Sequence, residues 1–515
     1  MTKHSQPHTS LTASHYSPQA IISTIINMVV TALPVELCYL VFDFLDQRDL
    51  KQVRLACRDL HRIVKIRIPR VFLSPNRANI DAFCGILANE KYCNQVREIV
   101  WDDARLKLYE RSEQMAGLGT QDSVPHQANF DDFLGRISAL TVRFNGGKAY
   151  PNSMSLSDNF DHHNRLYDEQ QEIMEAGEDV ETLMRGLSSF PALKRMTVSS
   201  EVWRIDPQSP RYETPFFRSL PSGFLMPQLW PWLGARNNEP WEPLALPWDE
   251  ACEEWRGYRI AVDALLATTA HHRIEEFVID TNHEYTGLGH QLFTSSNSLG
   301  YMKTVELFQT VQLTTLELSL NVITADYRLY VCLHNGLLKS ALLQLKTLKH
   351  FAFSTSQISD NQAGLFLNPD GMISLEEIVP TELWCNLRSL KLCNLFLHGH
   401  SLYNALGTMT SLATVWIENS SLSNDLTWTQ LMTSIKEQLV QGSGVWKPGK
   451  PDVVFRRQEG KDGYRLDSSA ELREFLHGQG DCPFNPRAPW RSYTGWLVSD
   501  WDPEYRRYVP PEYSP

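Results

Sequence analysis

The chain has 515 residues, 42% of them hydrophobic and 21% charged, and its 48 Lys+Arg against 60 Asp+Glu leave a formal charge of −12. This length exceeds the ~250–300 residues at which a single compact core stops growing, so several domains or one elongated stacked core are required. The acidic total argues against nucleic acid as the main partner, because phosphate binding depends on clustered Lys and Arg.

The first residues, 1–19, are polar and rich in Pro, Ser and His, too poor in apolar area to offset the entropy of ordering them. Residues 1–30 are expected to be a disordered tail. The apolar run 20–33 is shorter than the ~20 residues a membrane span needs. It is also interrupted by Ser23, Thr24 and Asn27 and closed by Pro34. No small-residue cleavage site precedes Pro34, so neither a signal peptide nor a membrane partner is expected.

From Leu33 the pattern tightens. Pro34 suits the first position of a helix, and Leu37, Val41, Phe44 and Leu45 follow at three- and four-residue steps. Asp46 or Asp49 can cap a second helix, along which Leu50, Val53, Ala56 or Cys57, Leu60 and Val64 continue an apolar stripe. Residues 31–75 are therefore expected to form a small all-helical domain. So few residues make a core too small to be comfortable alone, and the unit calls for a neighbour to cover its remaining face.

After Pro69 and Pro75 helices alternate with strands, and the pattern apolar-x-x-apolar-x-apolar recurs. It is found at Val96/Ile99/Trp101, Ile137/Leu140/Val142, Leu193/Met196/Val198, Ile274/Phe277/Ile279, Leu313/Leu316/Leu318, Leu348/Phe351/Phe353, Leu387/Leu390/Leu392 and Leu412/Val415/Ile417. Helical runs precede most copies, such as Val180, Leu183, Met184 and Leu187. The copies begin 41, 56, 81, 39, 35, 39 and 25 residues apart. A regular leucine-rich repeat runs at ~20–29 residues, so only the last interval is in register and the others carry insertions. The expected class is α/β, with residues 76–440 an irregular leucine-rich-repeat-like solenoid. An irregular α/β domain is the alternative reading.

Insertions are expected at 106–136, 145–179 and 204–260. The first two are polar and acidic and read as solvated excursions. The third holds nine prolines and five tryptophans, too aromatic to float in water, so it is expected to pack along the body. Residues 441–515 leave the pattern. Ser468 with Glu471 fits a capping box, and an aromatic tail from Trp490 to Tyr513 follows. Capping the open end of the stack is one role for this segment, and acting as a binding peptide is the other.

The nine cysteines are scattered without a C-x-x-C pair. They read as free thiols in a reducing compartment, cytoplasmic, nuclear or both. No phosphate-binding loop, nucleophile elbow or zinc-protease motif occurs. The pairs His162-His163 and His271-His272, and His398 with His400, lack a third ligand at metal spacing. No catalytic residue, metal or other cofactor is expected.

The helical segment resembles the F-box of a fungal-type F-box protein with degenerate leucine-rich repeats. The matching residues are Leu33-Pro34, Glu36-Leu37, Val41 in place of the usual Ile, Leu45, Asp49-Leu50, Leu55-Ala56-Cys57-Arg58 and Leu60. The Trp often found near the end of the motif is replaced by Leu60-His61-Arg62. A small helical cap on the stack is the other reading of these helices. The resemblance implies a substrate-recognition subunit of a Skp-cullin-F-box ubiquitin ligase, itself not an enzyme. Its partners would be a Skp-type adaptor, through it a cullin, and an unknown protein substrate. The adaptor would be met by Leu33, Pro34, Leu37, Val41 and Leu45, then by Leu50, Val53 and Leu55. An interaction scaffold acting outside any ligase is the alternative function.

Between residues 31 and 70 eight Lys/Arg face five Asp/Glu, a local +3 in an acidic chain. Lys51, Arg54, Arg58, Arg62 and Lys65 fall at helical steps. They form either a solvated helix surface or a basic face that steers the unit toward an acidic adaptor. Trp101, Trp203 and Trp416 lie at or near strand ends, as core residues or as exposed substrate anchors. No substrate-binding residue is assigned.

Overall fold

The computed structural model describes residues 33–45, 47–110, 128–129, 133–138, 153–200, 202, 212–227, 232, 247–281, 287–322, 331–355, 372–422, 426–441, 446, 451–459, 464–467, 469–484, 492–493 and 496–497. The chain divides into two units, 1–69 and 70–515. The expected tail 1–30, Trp203 and most of the aromatic C-terminal run lie outside the described residues.

In the first unit three short helices follow one another: α1 (Val35–Phe42), α2 (Gln47–Ala56) and α3 (Arg58–Ile63). Pro34 stands at the cap position just before α1, where its fixed φ and missing N–H cost the helix nothing. Asp49 lies inside the first turn of α2, and Cys57 caps α3 by accepting the Leu60 amide. The core comprises Cys38, Phe42, Leu50, Leu60 and Val64, with Leu33, Tyr39, Leu45, Val53, Cys57 and Ile63 partly buried around it.

The second unit is built on a sheet whose main path follows the chain order, with the two-residue strand Leu288–Gly289 pairing off this path against Leu320 and Asn321. The strands are β1 (Arg70–Leu73), β2 (Glu98–Asp102), β3 (Arg195–Ser199), β4 (Glu276–Ile279), β5 (Thr315–Asn321), β6 (His350–Thr355), β7 (Ser389–Cys393), β8 (Thr414–Glu418), β9 (Asp452–Glu459) and β10 (Tyr464–Asp467). Every neighbouring pair from β1 to β9 is parallel, and β10 turns back antiparallel on β9. Parallel neighbours cannot be joined by a hairpin, so the chain must cross over between them. Helices supply most crossovers: α4 (Arg77–Leu87), α5 (Leu156–Ala176) and α6 (Glu178–Ser189), α7 (Arg256–Ala267), α8 (Leu299–Thr310), α9 (Leu337–Leu342), α10 (Gly399–Thr408) and α11 (Trp428–Gln441); α12 (Ser469–His477) follows β10.

The recurrent triplets are what the register aligns. One row runs through Val71, Ile99, Met196, Phe277, Leu316, Phe351, Leu390, Val415 and Val453. A second passes Leu73, Trp101, Val198 and Ile279, and then Leu318, Phe353, Leu392, Ile417 and Phe455. All of these side chains are buried. Period-two alternation thus sends the second and third apolar positions of each triplet to one face. The leading residues Leu193, Ile274, Leu313, Leu348, Leu387 and Leu412 are buried in the turn ahead of each strand. The copy beginning at Ile137 does not form a strand at that residue, which lies on a helical turn over 133–138; Leu140 and Val142 fall outside the described residues.

The opposite face changes along the sheet. Val100, Thr197 and Val278 are buried in its first half. Tyr212 lies there with its ring 5.7 Å from that of Phe72 and its hydroxyl donating to the Asp280 carboxylate at 2.7 Å. In the second half Ala352, Lys391 and Trp416 are partly exposed.

Three differences from the sequence reading have physical causes. Arg70–Leu73, placed by that reading inside the helical domain, is the first strand of the sheet. At the other end Asp452–Glu459 extends the parallel sheet beyond residue 440, because Val453 and Phe455 supply the same alternation. The 145–179 stretch is not a solvated excursion throughout, for it contains α5, capped by Ser155 and joined to α6 through Gly177 at φ +68°. On α5 Phe160 packs with Tyr109, Phe133 and Ile137 into a satellite core, which its polar composition concealed. Arg256 on α7 grips Asp179 on α6 through two bonds, 2.7 and 3.2 Å long, and Trp248 and Trp255 stack at 5.1 Å in the interior.

Candidate functional site

Seven of the eight residues of α1 (VELCYLVF) are apolar, and Glu36 is the exception. A helix can bury only one face against a small partner, so an all-round apolar helix leaves the rest to be covered by something else. Here Cys38 and Phe42, one turn apart, enter the core. Leu37, Leu40, Val41 and then Phe44 repeat at three- and four-residue steps on the other side. They remain 46%, 58%, 45% and 91% exposed. Val35 is also exposed, as is Leu55 on α2. Full burial of side chains of this size is worth about 1.5–3 kcal/mol each.

The expected adaptor-binding residues fall into three groups. Pro34, Leu37, Val41 and Leu55 are exposed; Leu33, Leu45 and Val53 are half-buried against the core; Leu50 is fully inside it. A partner can reach the first group without rearrangement, whereas Leu50 holds the helices together. Leu40 and Phe44 were not picked out as contact residues. The scarcity of polar residues in α1, with Glu36 alone, is the signal that more than one of its faces is apolar.

The same unit carries a run of cations, two of which pair with carboxylates. Arg62 and Asp59 approach to 3.7 Å with both side chains largely in water, a geometry worth less than about 1 kcal/mol. Lys65 lies over the Tyr39 ring at 5.0 Å, Arg67 pairs with Asp43, and Arg54 donates to the His61 ring. Lys51 and Arg58 are exposed.

In the second unit Trp101 is core. Trp416 sits on the other face of β8, with Lys391 from β7 and Arg456 from β9 at 5.2 and 4.4 Å from its ring. The histidine pairs serve packing: His163 is buried and donates to the Lys107 carbonyl at 2.8 Å, and burial lowers its pKa to about 4. His272 contacts the Leu265 carbonyl at 3.0 Å, and burial lowers its pKa too. Among the described residues no three His, Cys, Asp or Glu side chains are placed to hold a metal ion.

Residues 30–68 match the family model described as F-box-like. No curated protein matches the chain. The first unit therefore carries an F-box-like domain, and the resemblance read from Leu33-Pro34 onward holds for this segment.

Proposed function

We propose that the protein is the substrate-recognition subunit of a Skp-cullin-F-box type ubiquitin ligase. The observation that carries this reading is the exposed apolar row Leu37, Leu40, Val41 and Phe44, lying within the segment that matches the F-box-like model. F-box domains bind Skp-type adaptors, and a helix with a second apolar face fits such a partner. Leu33, Pro34, Leu37, Val41 and Leu45 form the first contact set, and Val53 and Leu55 the second. Leu50 contributes by fixing α2.

The body is read as a leucine-rich-repeat-like solenoid that meets a protein substrate. The chain-ordered parallel sheet and its two aligned apolar rows support this arrangement, in which each unit completes the core of its neighbour. The subunit works by binding rather than by chemistry. Holding a substrate near the ligase's charged ubiquitin carrier raises the effective concentration of the reacting groups. The free thiols fit a cytoplasmic or nuclear setting.

A second reading is an interaction scaffold that uses the same module outside a ligase. The small core of the first unit favours it, since an adaptor can stabilise such a unit without delivering substrate. Co-purification of the full chain with adaptor and cullin decides between them. Retrieval of both, abolished by Leu40→Ser with Phe44→Ser, is the expected result. Adaptor without cullin favours the scaffold, and retrieval of neither contradicts both.

A further inference from the structure

The turn feeding each strand repeats one backbone step. The amide of the residue before the strand donates to the carbonyl of its counterpart in the preceding turn: Glu275 to Lys194, Thr314 to Glu275, Lys349 to Thr314, Arg388 to Lys349, and Ala413 to Arg388. This position is the first "x" of the recurrent apolar pattern, so the repeat itself sets Lys349 and Arg388 side by side on adjacent turns, with their backbones about 5 Å apart across the sheet. Lys346 precedes Lys349 by one turn of chain. Together these cations line an open cleft of about 450 Å³ with Thr347, Asn386 and Glu275.

The electrostatics of the cleft are unusual for this molecule. Glu275, its one carboxylate, is already paired with Lys194. Lys346, Lys349 and Arg388 are exposed, and among the described residues none of the three shares an ion pair with a carboxylate. Like charges on adjacent positions repel. They stand so in a chain carrying −12 overall, where carboxylates for pairing are plentiful. The repulsion is relieved when an anionic group enters between them.

We propose that this cleft docks an acidic segment of a protein partner, with glutamate or aspartate side chains seated among Lys346, Lys349 and Arg388. The proposal rests on the reading of the body as the partner-binding part. It places recognition on the turns before β6 and β7 rather than on the faces of the strands. The contacts are charge-assisted but solvated, so binding is salt-sensitive.

The test uses the full chain and a fluorescent peptide of alternating glutamate and serine, beside a twin with glutamine for every glutamate. Anisotropy at low ionic strength should show binding of the acidic peptide alone. The triple variant Lys346→Gln, Lys349→Gln, Arg388→Gln should weaken it about tenfold, the sum of three exposed charge contacts. These positions are exposed, so the variant should keep its fold. Cys385, exposed on the same cleft, supplies a second readout. Its alkylation, followed by mass spectrometry, should slow with the acidic peptide and not with the twin. Equal binding of both peptides, undiminished binding to the triple variant, or unprotected Cys385 overturns the proposal. Adaptor capture measured on the same samples separates the two readings. No peptide binding by the parent chain with adaptor retained removes this site alone, and no adaptor capture by the parent chain with peptide binding retained counts against the ligase subunit.

Discussion

The two units solve opposite problems with similar side chains. In residues 70–515 the apolar positions of each strand face a shared interior, and the described exposed large hydrophobics are five scattered residues: Leu156, Leu299, Met302, Leu343 and Val440. In the much shorter first unit six remain outside: Val35, Leu37, Leu40, Val41, Phe44 and Leu55. The body closes its core by adding the next strand, an option open to a long chain of similar units. Among the described residues of the first unit, three short helices are followed by no further element that covers them. What looks like a defect in the small unit is, on the proposed function, the surface that a second protein covers.

If that contrast is right, truncating a buried row residue should damage the body far more than truncating an exposed one damages the first unit. Phe353 lies in the second apolar row at 0% exposure, and Phe353→Ala should cost about 3–5 kcal/mol of unfolding free energy, read by chemical denaturation. A loss below about 1 kcal/mol would mean that the rows do not carry the body's stability.

Acid should probe the satellite core of the same unit. His163 titrates near 6.5 when unfolded and near 4 when folded. Above pH 6.5 it is neutral in both states. As pH falls from 6.5 toward 4 the unfolded chain takes up a proton that the folded one refuses. Stability is then lost by up to about 3 kcal/mol. His163→Gln should flatten that limb of the pH–stability curve, leaving the smaller contributions of His162 and His272, which burial also lowers. An unchanged limb would remove His163 as its source.

On the first unit, Phe44→Ala should leave stability within about 0.5 kcal/mol of the parent. The same change should weaken adaptor binding by about 2 kcal/mol, roughly thirtyfold, in a calorimetric titration. Destabilisation without weaker binding would invert the comparison. The smallest effect belongs to the exposed Arg62–Asp59 pair: Arg62→Ala should shift unfolding by less than about 0.5 kcal/mol.

Much of the body was legible because its signal is local and repeated. A leading apolar residue followed by two more at alternate positions marks the strands at 193–198, 274–279, 313–318, 348–353, 387–392 and 412–417, and a strand forms in each. The flanking strands escaped for different reasons: β1 does carry the pattern, as Ile68, Val71 and Leu73, but it runs straight on from the helical segment and Pro69 falls inside the copy. Asp452–Glu459 escaped because it lies past a Gly/Ser-rich break. The core role of α5 was hidden because burial of Phe160 depends on Tyr109 and Phe133, about fifty and thirty positions earlier.

The candidate surface was legible in position but not in facing. Leu33-Pro34 located the helices, yet spacing alone could not decide which apolar stripe of α1 points inward when nearly every residue is apolar. The choice is made by Cys38 and Phe42 meeting Leu50 and Leu60, contacts between helices that no single-helix pattern contains. Leu50, expected among the contacts, is buried in the core, and Leu40 and Phe44 join the exposed row.

Hydrogen exchange on the full chain, with and without a purified Skp-type adaptor, shows directly whether a partner docks on the exposed row of the first unit. Docking on the first unit should slow exchange at the amides of residues 35–65 and leave β1–β9 unchanged. Protection confined to the sheet, or none anywhere at saturating adaptor, would contradict it.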